Sequence, residues 1–238
     1  MSMDRRTFIR TCTGTVATAA VAGTLIDRLA SAGELVSYTK SRLVDADGKP
    51  IKASALSTAE AYLFNYPMKS APCLLIKLGS AANPTDLKTE AGEAYTWQGG
   101  IGPDKDIVAY CAICAHQMAY PMKNLTVISY QAGQSERAGR KGVITCCAHG
   151  STYDPAKGAA VVFGPAPQPL AAIKLEYDPA DDSLYATGIY GGNRFDDFIK
   201  AYKADLMAQF GRGEYKQPVD ATVQTVLLSK YSGAVVAC

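Results

Sequence analysis

From about Leu35 onward, apolar residues fall in short runs of four to six rather than at helical spacing. The runs are Val36–Thr39, Tyr62–Tyr66, Leu74–Leu78, Asp106–Tyr110, Leu125–Tyr130, Gly142–Thr145, Ala160–Phe163, Ile173–Tyr177 and Leu184–Ile189. They are rich in Val, Ile and Tyr, whose branched or aromatic side chains suit a pleated, half-buried surface. Turn-forming clusters separate them, among them DADGKP at 45–50, QGGIGPDK at 98–105 and PADD at 179–182. Many short strands with such punctuation predict an all-β fold, an antiparallel β-sandwich or barrel-like domain. No internal repeat or low-complexity tract interrupts it.

One segment breaks the strand pattern. Phe195, Phe198, Ile199, Tyr202, Leu206 and Phe210 recur at helical spacing, and Gly211 follows as a stop. Asp196 and Asp197 lie in the first turn, where negative charge favours the helix dipole. The spacing predicts a helix with one apolar face, turned either to the β domain or to a partner. Pro218 to Cys238 has mixed signals and predicts no element.

The first 32 residues have a different character. Arg5 and Arg6 precede Phe8 and Ile9, a mildly apolar run follows from Thr11 to Ile26, and Ala30-Ser31-Ala32 forms a small-residue site. The run is shorter than the ~20 residues that span a bilayer, and it is rich in Ala, Thr and Gly. This head resembles a twin-arginine export signal, which implies export of a folded protein to the periplasm, where disulfides form. Cleavage after Ala32 and an uncleaved anchor associated with the membrane are both compatible with the sequence. The chain thus divides into a signal (1–32), a β domain (35–192) and a C-terminal helix and tail (193–238).

Charge narrows the functional classes. The net charge is +2, and without the first 32 residues the balance is 20 basic to 20 acidic. No basic stripe with interleaved aromatics is present, so nucleic acid is not an expected partner. Seven cysteines are too few for a disulfide scaffold at this length. Cys12, Cys73 and Cys238 stand alone, whereas Cys111, Cys114, Cys146 and Cys147 flank the only two histidines of the chain.

These six residues carry the chemistry. Cys114-Ala115-His116 is a C-x-H, and Cys146-Cys147-Ala148-His149 contains a C-x-x-H, with 29 residues between His116 and Cys146. Thiolate and imidazole together suit zinc or iron–sulfur chemistry. Structural zinc usually takes its cysteines as one pair and its histidines as another, whereas here each half supplies one of each. A set of Cys111, Cys114, Cys146 and Cys147 would ask two adjacent cysteines to chelate together and would leave both histidines unexplained.

C-x-H followed by C-x-x-H resembles the Rieske motif, in which two cysteines hold one iron of a 2Fe-2S cluster and two histidines hold the other. The resemblance implies a Rieske-type sandwich with a cluster-binding subdomain. It assigns Cys114 and Cys146 to the inner iron and His116 and His149 to the outer one. His149-Gly150-Ser151-Thr152-Tyr153-Asp154 is similar to the second cluster loop of high-potential members. There the serine hydroxyl bonds a bridging sulfide and the tyrosine hydroxyl bonds a cysteine sulfur, which raises the potential. By that likeness Ser151 and Tyr153 tune the cluster. A turn-forming role for Ser151 and a packing role for Tyr153 are the alternatives. Gly164-Pro165-Ala166-Pro167 is similar to the family's Pro-rich third loop. Many members also carry a disulfide between the loops. The matching positions here are Ala119 and Ala148, and the nearest cysteines that could pair instead are Cys111 and Cys147.

FNYP (64–67), APCLLIKLG (71–79), GGIGPDKDIVAY (99–110) and LAAIKLEYDPADDSLYATGIYG (170–191) are similar to the small subunit of arsenite oxidase and its relatives. That likeness covers about residues 60–192 and implies a large molybdopterin subunit and a cytochrome or similar carrier as partners. HGSTYD and GPAP are closer to Rieske subunits of quinol-oxidising cytochrome bc complexes, which would make cytochrome b the large partner. A structural zinc protein is the more distant alternative. A Rieske oxygenase needs a further mononuclear iron, usually with two histidine ligands, and both histidines are already used. The expected role is one-electron transfer, with no catalytic residue of its own. Histidine ligation predicts a midpoint potential that falls with pH once the histidines deprotonate.

Overall fold

The computed structural model describes residues 35–238, so the export signal, with Arg5, Arg6 and Ala30-Ser31-Ala32, lies outside the described residues. All nine expected strands meet a strand of the structure. In chain order the strands are β1 (Val36–Val44), β2 (Tyr62–Asn65), β3 (Pro72–Lys77), β4 (Thr85–Lys88), β5 (Ala94–Trp97), β6 (Ile107–Cys111) and β7 (Ile128–Ser135). They continue with β8 (Arg140–Cys146), β9 (Ser151–Asp154), β10 (Ala160–Phe163), β11 (Ala172–Asp178), β12 (Ser183–Tyr190), β13 (Thr222–Gln224) and β14 (Val226–Leu227). The fold is all-β, as expected, with a few short helices.

Eight strands form the main sheet, in the order β13-β1-β12-β11-β6-β3-β2-β14. Its central strands are apolar on both faces because both faces are covered. Along β3, Cys73 and Leu75 face one core while Leu74 and Ile76 face the other. Along β6, Ile107, Ala109 and Cys111 share the first face, and Val108 and Tyr110 the second. Period-two alternation therefore sorts one continuous apolar run into two cores.

The tail that predicts no element in the sequence sits at both edges of this sheet. Residues 222–224 run parallel to β1 through Arg42, Leu43 and Val44, and residues 226–227 pair antiparallel with β2 through Leu63 and Tyr62. Six consecutive residues thus cover the two outer strands and leave neither as a long free edge, the position where strands otherwise recruit other chains. Strands of two and three residues are too short for a pattern to show in the sequence.

The helical stretch divides into α1 (Phe195–Ala201) and α2 (Lys203–Phe210). The break falls at Tyr202 (φ −107°, ψ 20°), whose ring packs edge-on against Tyr120 at 4.8 Å. Phe195, Phe198, Ile199 and Leu206 are buried in the first core, so the apolar face turns to the β domain. A four-residue helix, α3 (Leu228–Tyr231), follows β14. No helix among the described residues is long and apolar enough to cross a membrane.

Strands β7 to β10 form a smaller antiparallel sheet in the order β10-β9-β8-β7. Ile128, Ile144 and Tyr153 from this sheet pack on Leu74, Val108 and Tyr110 of the main sheet in the second core. The β4–β5 hairpin adds Tyr95 and Trp97 to the same core. This smaller sheet carries the candidate site.

Candidate metal centre

Two loops hold the four expected ligands. The first leaves β6 and turns tightly, with the Cys114 N–H donating to Ala119 O and the Met118 N–H to Cys114 O, both at 2.9 Å. The second is the β8–β9 hairpin, whose closing pair is Cys146 and Ser151. Its turn is shut by the Gly150 N–H donating to Cys146 O at 2.8 Å, and Gly150 takes φ +84°, which favours glycine. The hairpin sets Cys146 at a strand end and pushes His149 out to the turn.

The two kinds of ligand are segregated by depth. Cys114 and Cys146 are fully buried, His116 is half-buried and His149 is exposed. The two imidazoles lie edge to face with ring centroids 5.1 Å apart. The two thiols are within hydrogen-bonding reach of each other. Cys114 is held below the usual thiol range, first by the bond from Cys146, and further by the Tyr153 hydroxyl and the N–H groups of His116 and Gln117. The bond to Cys114 and then burial push the Cys146 thiol up, and the N–H groups of His149 and Ala148 point at its sulfur and oppose that shift. Both loops therefore aim backbone donors at sulfur, an environment that stabilises bound thiolate.

Tyr153 completes the sulfur pocket. Its hydroxyl lies 3.3 Å from Cys114 Sγ and accepts the Ala115 N–H at 3.2 Å. Burial, and then the neighbouring Cys114, push its ionisation well up, so the hydroxyl keeps its proton and can donate to sulfur. Strand β9 is locked on both sides of this residue. Arg140 pairs with buried Asp154 at 2.9 Å, and the Tyr110 hydroxyl donates to Pro155 O at 2.6 Å. Tyr153 thus touches the expected ligand sulfur, beyond filling space.

Polar atoms without partners test whether a cluster fits. His116 Nδ1 and Ser151 Oγ are buried and have no hydrogen-bond partner. Leaving a buried polar atom unsatisfied costs about 1–3 kcal/mol, so two such atoms at one site point to a group that satisfies them. An imidazole nitrogen suits a metal ion, and a hydroxyl suits a sulfide acceptor. The buried cysteine pair and the outer histidine pair suit a binuclear group, in which each pair serves a different metal. The residues present fit a 2Fe-2S cluster.

The Pro-rich loop is where the sequence places it. Gly164 takes φ +90°, and a Cβ there would come within 2.4 Å of Gly150 O and 2.7 Å of Ser151 Cα. The third loop is thus in direct backbone contact with the second. Gly164→Ala is expected to lower stability by about 1–3 kcal/mol and to broaden the spectrum of the reduced cluster, read by thermal melting and EPR.

The cysteine pairing differs from the sequence expectation. Cys147 is joined to Cys238, with Cα atoms 5.8 Å apart, and not to Cys111. Cys111 is a buried free thiol opposite Cys73 on β3, on the far face of the main sheet from Cys114. Strand alternation puts it there, since Tyr110 and Ala112 take the near face. The bridge spans 91 residues, and constraining so long a loop in the unfolded chain is worth about 4–5 kcal/mol.

Sequence reasoning also missed Arg194. Its Nη1 donates to Ala115 O at 2.9 Å and to His116 O at 2.8 Å, fixing the backbone of the first loop from the start of α1. A lone arginine before a helix gives no signal of this, because the contact spans 78 residues. Arg194→Gln removes both charge-assisted bonds and is expected to cost about 1.5–3 kcal/mol in thermal unfolding, with an altered EPR line shape.

Known proteins resemble this chain in sequence. A family model described as the Rieske [2Fe-2S] domain matches residues 82–174. The iodate reductase subunit IdrB of Denitromonas iodatirespirans is 30% identical over 190 residues, 79% of this chain and 82% of that protein. The subunit of the same name from Pseudomonas sp. (strain SCT) is 33% identical over 138 residues, 58% of this chain and 57% of that protein. The chain therefore spans little more than half the length of the latter relative. Among solved structures, the soluble domain of the Rieske protein II (soxF) from Sulfolobus acidocaldarius matches with a TM-score of 0.49 at 24% identity, covering 66% of this chain and 82% of that one. With the buried thiol pair, the outward histidine pair and a relative aligned over most of both chains, the protein belongs to the Rieske [2Fe-2S] family and binds a 2Fe-2S cluster.

Proposed function

We propose that this chain is the small electron-transfer subunit of a periplasmic molybdopterin oxidoreductase, with Cys114 and Cys146 on one iron and His116 and His149 on the other. The observation that carries the ligand assignment is the pairing at two depths: buried sulfurs in mutual contact, and two imidazoles 5.1 Å apart nearer the surface. When bound, the cluster supplies one-electron transfer. The chain's own residues set its conditions. Backbone N–H groups and Tyr153 hold negative charge on the sulfurs, Ser151 offers a further donor, and the exposed His149 gives an edge at which a partner can dock.

The iodate reductase subunits above support a reductase assembly of this kind, and the likeness to arsenite oxidase small subunits points the same way. The HGSTYD and GPAP loops favour a second reading, a subunit of a quinol-oxidising cytochrome bc-like complex. The Cys147–Cys238 bridge supports an oxidising compartment, consistent with twin-arginine export to the periplasm, with or without an anchor in the inner membrane.

Affinity purification of the tagged native protein tests the assembly. A molybdenum-containing subunit travelling with the chain supports the first reading, and a b-type cytochrome replaces it with the second. EPR of the dithionite-reduced protein tests the ligands, since a protein holding only zinc would give no signal.

A further inference from the structure

The segment from Ser232 to Cys238 touches both cluster loops. Against the first, the Ser232 Oγ donates to Met122 O and the Gly233 N–H to Lys123 O, each at 2.8 Å. A short parallel pairing follows, with the Thr126 N–H donating to Ala234 O at 2.8 Å and the Val236 N–H to Thr126 O at 2.9 Å. Against the second loop the tie is covalent, through Cys147–Cys238. Cys147 lies between the assigned ligands Cys146 and His149. Its own N–H donates to Val127 O at 2.7 Å, one residue beyond the tail's pairing with the first loop.

We propose that residues 232–238 are a strap that couples the two cluster loops, with Cys147 and Cys238 as positioning residues. Four hydrogen bonds and one disulfide join 122–126, the tail and Cys147 into one mechanical unit. The two loops have no covalent bond directly to each other, and Ala119 and Ala148 supply no sulfur for one. Movement of the first loop's descending limb is therefore transmitted to Cys147, and so to the ligands on either side of it. Partners that orient metal ligands typically change metal retention by about 10- to 100-fold when removed. The strap acts through the ligands and touches no reacting atom.

This deepens the ligand assignment above and rests on it for its spectroscopic reading. The test compares wild type, Cys238→Ser and Leu184→Ala as purified holoproteins. Leu184 is fully buried in the first core on β12, paired with Tyr177 of β11, so its truncation lowers stability away from the strap. Cys238→Ser is expected to lose its cluster about 10- to 100-fold faster than wild type, with an altered EPR line shape. Leu184→Ala, measured at an equal interval below its own Tm, is expected to retain both. Equal loss rates in the two variants, with unchanged line shapes, would overturn the proposal.

If Cys238→Ser does not accumulate, anaerobic reduction of the disulfide in wild type with a phosphine replaces it. Hydrogen exchange then reads the coupling without reference to the cluster. Opening the bridge is expected to raise exchange at 122–126 and at 147–150 together. Faster exchange confined to 236–238 would show that the two loops are not coupled through the tail. Wild type lacking a Rieske EPR signal refutes the ligand assignment and leaves the exchange experiment to decide the strap.

Discussion

Cys146→Ser is expected to yield protein with no 2Fe-2S spectrum and background iron, whereas Cys147→Ser is isolated with its cluster. The two residues are neighbours in sequence but have separate surroundings. Cys146 is fully buried, within reach of Cys114, and receives the N–H groups of Ala148 and His149. Cys147 is half-buried and turned to Cys238. A hydroxyl in place of the Cys146 thiolate removes a soft, charged ligand, and Cys114 alone cannot hold the inner iron. Cys147→Ser loses a bridge, so its cluster is retained at isolation and released faster afterwards. Iron and acid-labile sulfide assays with EPR check both variants. A full cluster in Cys146→Ser would sink the ligand assignment.

Tyr153→Phe is expected to keep the cluster and lower its midpoint potential by an amount on the order of 65–130 mV. The hydroxyl lies 3.3 Å from Cys114 Sγ and keeps its proton because burial disfavours the phenolate. A hydrogen bond to a charged acceptor is worth about 1.5–3 kcal/mol, and tenfold in a one-electron equilibrium corresponds to about 59 mV. Reduction adds negative charge at sulfur, so the bond favours the reduced state, and its loss favours the oxidised one. Ser151→Ala should shift the potential in the same direction, since Ser151 Oγ is buried and has no protein partner. Redox titration followed by EPR measures both. An unchanged potential in Tyr153→Phe would assign the residue to packing alone.

Much of the centre was legible because its groups are local in sequence. Cys114 with His116 and Cys146 with His149 each sit on one short loop, and the order of Ser151, Tyr153 and Gly164 follows them. The main strands were legible for a similar reason, since β3 and β6 are continuous apolar runs bounded by turns. Most of the unread strands fail on length or polarity, although β5, Ala-Tyr-Thr-Trp, does not. Strand β4 is Thr-Asp-Leu-Lys, and β14 has two residues. Strand β9 is Ser-Thr-Tyr-Asp, whose polar side chains are buried at the site. The predicted helix has the right apolar residues, but periodicity gives no sign of the break at Tyr202.

Short apolar runs bounded by turns were enough to read the all-β class, and the resemblance carried by C-x-H and C-x-x-H was enough to read the cluster family and to offer six candidate residues for the metal centre, because runs and ligand spacing are properties of neighbouring residues. Long-range contacts alone set which cysteine pairs with Cys147, which arginine fixes the first loop and where the tail lies. Each of those contacts joins residues 78 or more apart, or places two-residue and three-residue strands on opposite edges of one sheet. Their free energy comes from burial and hydrogen bonding in the assembled fold, and no local propensity of Arg194, Thr222–Leu227 or Cys238 encodes it.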